Sequence, residues 1–79
     1  MRFQKNYVPR EDALRRKALE RGYALANGSI TIFYVDGQQD WRFIAVALSK
    51  AKAAPLSALA GELAQFEGVE NFSLTHARN

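Results

Sequence analysis

Apolar and polar residues alternate along this chain in two different periods. Residues 29–48 carry two runs rich in β-branched and aromatic side chains, Ser-Ile-Thr-Ile-Phe-Tyr-Val and Trp-Arg-Phe-Ile-Ala-Val-Ala-Leu, on either side of Asp-Gly-Gln-Gln-Asp. Such runs around an Asp-Gly turn predict a β-hairpin. Because successive strand side chains point to opposite sides, Ile30, Ile32 and Tyr34 share one face and Thr31, Phe33 and Val35 the other. Both faces are largely apolar, which predicts a central hairpin rather than a sheet edge. A hairpin needs further strands or helices to cover it in water.

The flanks change to helical spacing. Pro9 marks a helix start, with Glu11 and Asp12 placed where the helix dipole favours negative charge. Leu14, Ala18, Gly22 and Leu25 then form one stripe. The helix could stop at Gly22 or at Asn27-Gly28, and Leu25 favours the longer version. After a connection rich in small residues and lysine, Pro55 opens a second helix in which Leu56, Leu59, Ala60, Leu63 and Phe66 recur at steps of three and four. Gly68 stops it. Residues 2–8 predict a short first strand and residues 69–76 a last one, with Phe72 and Leu74 on one face.

The expected order is therefore βαββαβ, an α+β chain. Right-handed crossovers put both helices on one face of a four-stranded antiparallel sheet, the ferredoxin-like arrangement. Its other face has no helix, and the hairpin leaves it partly apolar. Exposed apolar patches mark interfaces, so Ile30, Ile32, Tyr34, Trp41 and Phe43 are the candidate contact residues, with self-association through the sheet the expected use.

At 79 residues there is room for one domain. A chain of this size buries only about 60% of its unfolded surface, so a dimer or attachment to a larger protein is expected. No cysteine is present, which removes disulfides, thiolate metal sites and a cysteine nucleophile. No apolar stretch approaches the ~20 residues of a membrane span, so the chain as given is expected to be soluble. The net charge of +3 is concentrated early: residues 1–21 hold seven Lys or Arg against three acids. Arg10, Arg15, Arg16, Lys17 and Arg21 are candidates for a solvated helix face, a nucleic-acid contact or contact with an anionic membrane surface.

Little in the chain points to catalysis. His76 is the single histidine, and no acid or second histidine is spaced to orient it. Asp36 and Asp40 bracket the turn as turn formers rather than cation ligands. Trp41 beside Arg42 could stack a nucleic-acid base, but the middle strands lack the aromatic, glycine and basic pattern of RNA-binding sheets, which argues against nucleic acid. No catalytic, metal or cofactor site is expected, and the chain reads as a non-enzyme.

The strand order and the Gly68-Val69 exit from the second helix into Phe72 and Leu74 resemble the ACT-like group of small regulatory domains. Within it, the basic first strand and the Arg-rich helix from Arg10 to Arg21 most resemble the C-terminal domain of MgtC/SapB-family membrane proteins. That resemblance implies a non-catalytic regulatory or interaction domain spanning residues 1–79, attached to a transmembrane part. It would lie on the cytoplasmic side of an inner membrane, in a protein linked to magnesium limitation and virulence. Two alternatives stay open, a free-standing amino-acid-sensing ACT domain and a small nucleic-acid-binding domain. ACT domains that bind amino acids use a glycine-containing turn after the first strand; here it is Tyr7-Val8-Pro9-Arg10.

Overall fold

The computed structural model describes residues 1–76. Its elements are β1 (Arg2–Phe3), α1 (Glu11–Glu20), β2 (Tyr23–Leu25), β3 (Thr31–Val35), β4 (Gln38–Arg42), β5 (Ala45–Ala47), α2 (Leu56–Ala64) and β6 (Val69–Asn71). The class is α+β. One antiparallel sheet has the order β3-β4-β1-β6, and β2 pairs with β5 in a separate two-stranded ladder. None of the described helices is long and apolar enough to cross a membrane.

Among the described residues six strands appear where four are expected, because each arm of the hairpin is broken once. The outgoing arm is β2 then β3, and the return arm is β4 then β5. Tyr23 pairs with Ala47 and Leu25 with Ala45, while beyond the break Thr31 pairs with Arg42 and Val35 with Gln38. Residues 26–30 thus lie opposite residues 43–44, and the longer arm must bulge. Gly28, at φ 72°, makes the bend. The Ser29 hydroxyl closes it, donating to the Ala26 carbonyl at 2.7 Å and accepting from the Ile44 N–H at 3.2 Å. Asn27-Gly28 is therefore a bulge within a strand arm, not a helix stop.

The first helix takes its shorter form. It ends at Glu20, capped through Arg21, and Gly22 turns the chain at φ 85°. A Cβ on Gly22 would come within 2.8 Å of the Ala53 Cα, so the close approach of residues 52–53 requires glycine there. Leu25 still reaches the core, but from a strand that doubles back rather than from the helix stripe. The first and last strands are also shorter than expected. After Phe3 the chain turns through Asn6 at φ 65°, and after Asn71 the ladder stops. The second helix likewise ends at Ala64, and a turn closed by Val69 N–H donating to the Phe66 carbonyl leads to β6.

One core holds the elements together: Phe3, Leu14, Ala18, Leu25, Trp41, Leu59 and Leu63 are each at most 5% exposed. Phe3 is at its centre, edge-on to Trp41 at 5.7 Å and to Phe66 at 6.4 Å, and stacked on Tyr7. Both helices feed this core and touch each other. Arg21 at the end of α1 also reaches Glu62 of α2, with its Nε donating at 3.0 Å. Each large apolar side chain buried here is worth roughly 1.5–3 kcal/mol relative to exposure, and this concentration around Phe3 decides which side of the sheet is covered.

Candidate functional site

The candidate site is the sheet face turned away from this core. Trp41 points into the core, so its neighbours Asp40 and Arg42 point out, and the same alternation carries along the return arm. Phe43 and Ala45 pack inward against the core, so Ile44, Val46 and Leu48 face outward at 58%, 51% and 56% exposed. On β3, Ile32 is the partner of Trp41 and shares its side. Thr31, Phe33 and Val35 therefore face outward too.

The face has two halves. Around β1, β3 and β4 it mixes charge with an aromatic ring. The Arg42 guanidinium stands 4.5 Å from the Phe33 centroid and 3.7 Å from Asp40 Oδ2, with Arg2 on the neighbouring strand. A shallow depression of about 440 Å³ lies among these side chains. Along the return arm the surface is purely apolar, made by Ile44, Val46 and Leu48. Protein-family models, curated proteins and solved structures give no match to this chain.

Among the described residues no three His, Cys, Asp or Glu side chains gather where they could hold a cation, and His76 is exposed. An uncovered face with five exposed apolar side chains suits burial against another surface.

The structure corrects the expected contact set by one residue of register. Trp41 is a core residue at 4% exposure, so it can neither stack a base nor form an interface. Ile30 and Phe43 are partly buried against the core. Ile32 and Tyr34 are exposed, at 50% and 67%, but on the same side as Trp41, where the hairpin runs out past the helices. The open face belongs to the alternate residues, because a one-residue shift exchanges the two faces of a strand. The same position corrects the expectation of a central hairpin. Among the described residues β3 pairs only with β4 and is the edge of its sheet, exposed along its whole length.

The basic residues of the first helix are largely neutralised by their neighbours. Arg10 pairs with Asp12 at 3.1 Å, Arg15 with Glu11 at 2.9 Å and Lys17 with Glu20 at 3.8 Å. Arg15 also donates to the Leu25 carbonyl, fastening the helix to β2. Arg16 is exposed. Arg15–Glu11 and Lys17–Glu20 stand at the i,i+4 and i,i+3 spacings of helix neighbours, whereas the open-face set follows only from the placement of Trp41.

Proposed function

We propose that this chain is a non-catalytic protein-interaction domain that self-associates through its uncovered sheet face. The observation that carries the reading is the outward alternation of Phe33, Val35, Ile44, Val46 and Leu48, all at least 44% exposed. A sheet face of this kind packs against a second sheet with side chains interdigitating about 10 Å apart. Isologous pairing lets each copy supply the same patch. The mixed half, with Arg42 and Asp40, would form a polar rim that sets register more than affinity.

The finer reading is a ferredoxin-like, ACT-like domain of the MgtC/SapB type, serving as the regulatory part of a membrane protein linked to magnesium limitation and virulence. If each broken arm is counted once, the strand order becomes that of the βαββαβ pattern, and the Gly68-Val69 exit fits the resemblance. Sedimentation of the chain across a hundredfold concentration range tests the first reading, with a monomer–dimer equilibrium as the expected result and a strict monomer overturning it. Hydropathy of the parent gene upstream of Met1 tests the second, with membrane spans expected; their absence removes it.

A further inference from the structure

Asn27-Gly28, in the bulge between β2 and β3, is the one Asn-Gly pair in the chain. Asn6 and Asn71, by contrast, precede Tyr7 and Phe72, whose side chains crowd the peptide nitrogen. Asn27 and Gly28 are both exposed, and a Cβ built on Gly28 would meet nothing within 4 Å. Among the described residues the Gly28 N–H has no acceptor and the Asn27 side-chain amide no partner. The peptide nitrogen between them is open to solvent.

The pair sits in a turn that a third residue locks. The Ser29 N–H donates to the Ala26 carbonyl at 3.1 Å, and Gly28 takes φ 72° while Asn27 keeps a negative φ. That combination is a type II turn, whose second residue holds ψ at about 120°. The Gly28 nitrogen is thereby turned away from the Asn27 side chain. The Ser29 hydroxyl fixes this geometry by bridging the Ala26 carbonyl at 2.7 Å and the Ile44 N–H at 3.2 Å. Asn27 and Gly28 can react only when this clasp opens. An exposed bulge held by three hydrogen bonds opens locally, without global unfolding.

We propose that Asn27-Gly28 is a site of spontaneous covalent modification, an intramolecular deamidation gated by Ser29. In the open turn the Gly28 nitrogen, its proton taken by solvent base, attacks Asn27 Cγ. A C–N bond forms, the Cγ–Nδ2 bond breaks, and Nδ2 leaves as ammonia with a proton from water. Water then opens the five-membered imide at either carbonyl, leaving aspartate or isoaspartate at position 27. Glycine favours the attack because it carries no side chain beside the nitrogen. Each product adds one negative charge. The iso form also routes the main chain through the former side chain, one methylene longer. Ser29 is then carried out of reach of the Ile44 N–H, and the ladder that pairs Leu25 with Ala45 loosens at that end.

The test incubates the full chain in mildly alkaline buffer beside a synthetic peptide of residues 24–30, each with and without Ser29→Ala. Mass spectrometry of proteolytic fragments locates the conversion, and electron-transfer fragmentation separates aspartate from isoaspartate. Conversion is expected at Asn27 alone, tenfold to a hundredfold slower in the folded chain than in the peptide. Ser29→Ala should speed the folded chain at least threefold and leave the peptide unchanged. Urea below the unfolding transition should alter the folded rate less than twofold, because a local opening exposes little surface. Asn27→Gln, which must close a six-membered ring, should show no conversion over the same time. Hydrogen exchange at Ala26, whose N–H donates to the Ile44 carbonyl, and at Ile44 should be at least tenfold faster in the isoaspartate form. The proposal is overturned by comparable conversion at Asn6 or Asn71, or by none at Asn27 after a hundred peptide half-lives. A folded rate that tracks global unfolding in urea, no effect of Ser29→Ala on the folded chain, or unchanged exchange in the isoaspartate form would equally overturn it.

Discussion

The guanidinium of Arg42 lies 4.5 Å from the centre of the Phe33 ring, across a strand pair on the face turned away from α1 and α2. Arg42 pairs across the ladder with Thr31, and Phe33 with Asp40, so the contact is diagonal, within reach of long side chains. At an exposed site it is worth about 0.5–1 kcal/mol. Asp40, 3.7 Å from the same guanidinium, completes a charged cap over the ring. Phe33 is thus partly occupied by its own neighbours, whereas among the described residues no such cap lies over Ile44, Val46 and Leu48, and the hydrophobic centre of the proposed interface would fall on them.

Val46 is therefore the position to charge. In a dimer formed through this face, Val46→Asp would bury an unpaired carboxylate, a cost typical of a central interface residue at about 2 kcal/mol or more. Weakening of roughly thirtyfold or greater is expected in sedimentation equilibrium. The isolated fold should be unaffected within about 0.5 kcal/mol, since the side chain is half exposed and outside the core. Arg42→Ala is expected to change the salt dependence of association more than its strength.

Ile32 and Trp41 are direct cross-strand partners with opposite fates. Trp41 meets Phe3 and the helices, while Ile32 reaches past them into solvent. Trp41→Ala should cost about 3–5 kcal/mol, a large part of the stability of a domain this small. Ile32→Ala should cost well under about 1 kcal/mol. Urea unfolding of the two variants separates them. Similar losses would mean that the core extends under β3.

Much of the fold is legible in the sequence because it rests on local rules. The Pro9 and Pro55 helix starts, the Leu56, Leu59 and Leu63 stripe, and the Asp36-Gly37 turn all depend on near neighbours. Asp36 and Gly37 both take positive φ, at 54° and 78°, as a tight hairpin turn requires. What the sequence leaves open depends on contacts distant along the chain. Leu25 satisfies helical spacing equally well as a strand residue that doubles back, and its pairing with Ala45, with residues 52–53 close against Gly22, places it in the strand. The candidate site fails in the same way. Two apolar faces on one hairpin offer no local signal of which will meet the helices, and the pairing of Phe3 with Trp41 decides it.

The link between the two helices gives the fold an acid-sensitive contact. Hydrogen bonds from the Arg21 guanidinium, outweighing the opposing effect of desolvation, pull the Glu62 carboxyl below its usual value near 4.5. A carboxyl with a lower pKa folded than unfolded adds stability that is present above the unfolded value and lost as pH falls through the folded one. Thermal melts should therefore decline below about pH 4.5, and Glu62→Gln should flatten that part of the curve while lowering the plateau at neutral pH. An unchanged acid limb in Glu62→Gln would show that other carboxyls govern it.

Gly68 and Tyr7 meet where the last strand begins. Gly68 stands at φ 84°, and a Cβ there would collide with the Tyr7 ring. That ring is itself stacked on Phe3, at 6.2 Å between centroids, so it cannot move aside without disturbing the centre of the core. Two penalties therefore act on Gly68→Ala. The left-handed backbone costs about 1–2 kcal/mol for a residue with a side chain, and the clash adds about 1–3 kcal/mol. In a Tyr7→Ala background the ring is gone, and Gly68→Ala should cost only the backbone part. A double-mutant cycle read by urea unfolding is expected to show coupling of at least about 1 kcal/mol between the two positions. Simple additivity would mean that the ring yields freely and that the glycine is required by its backbone angle alone.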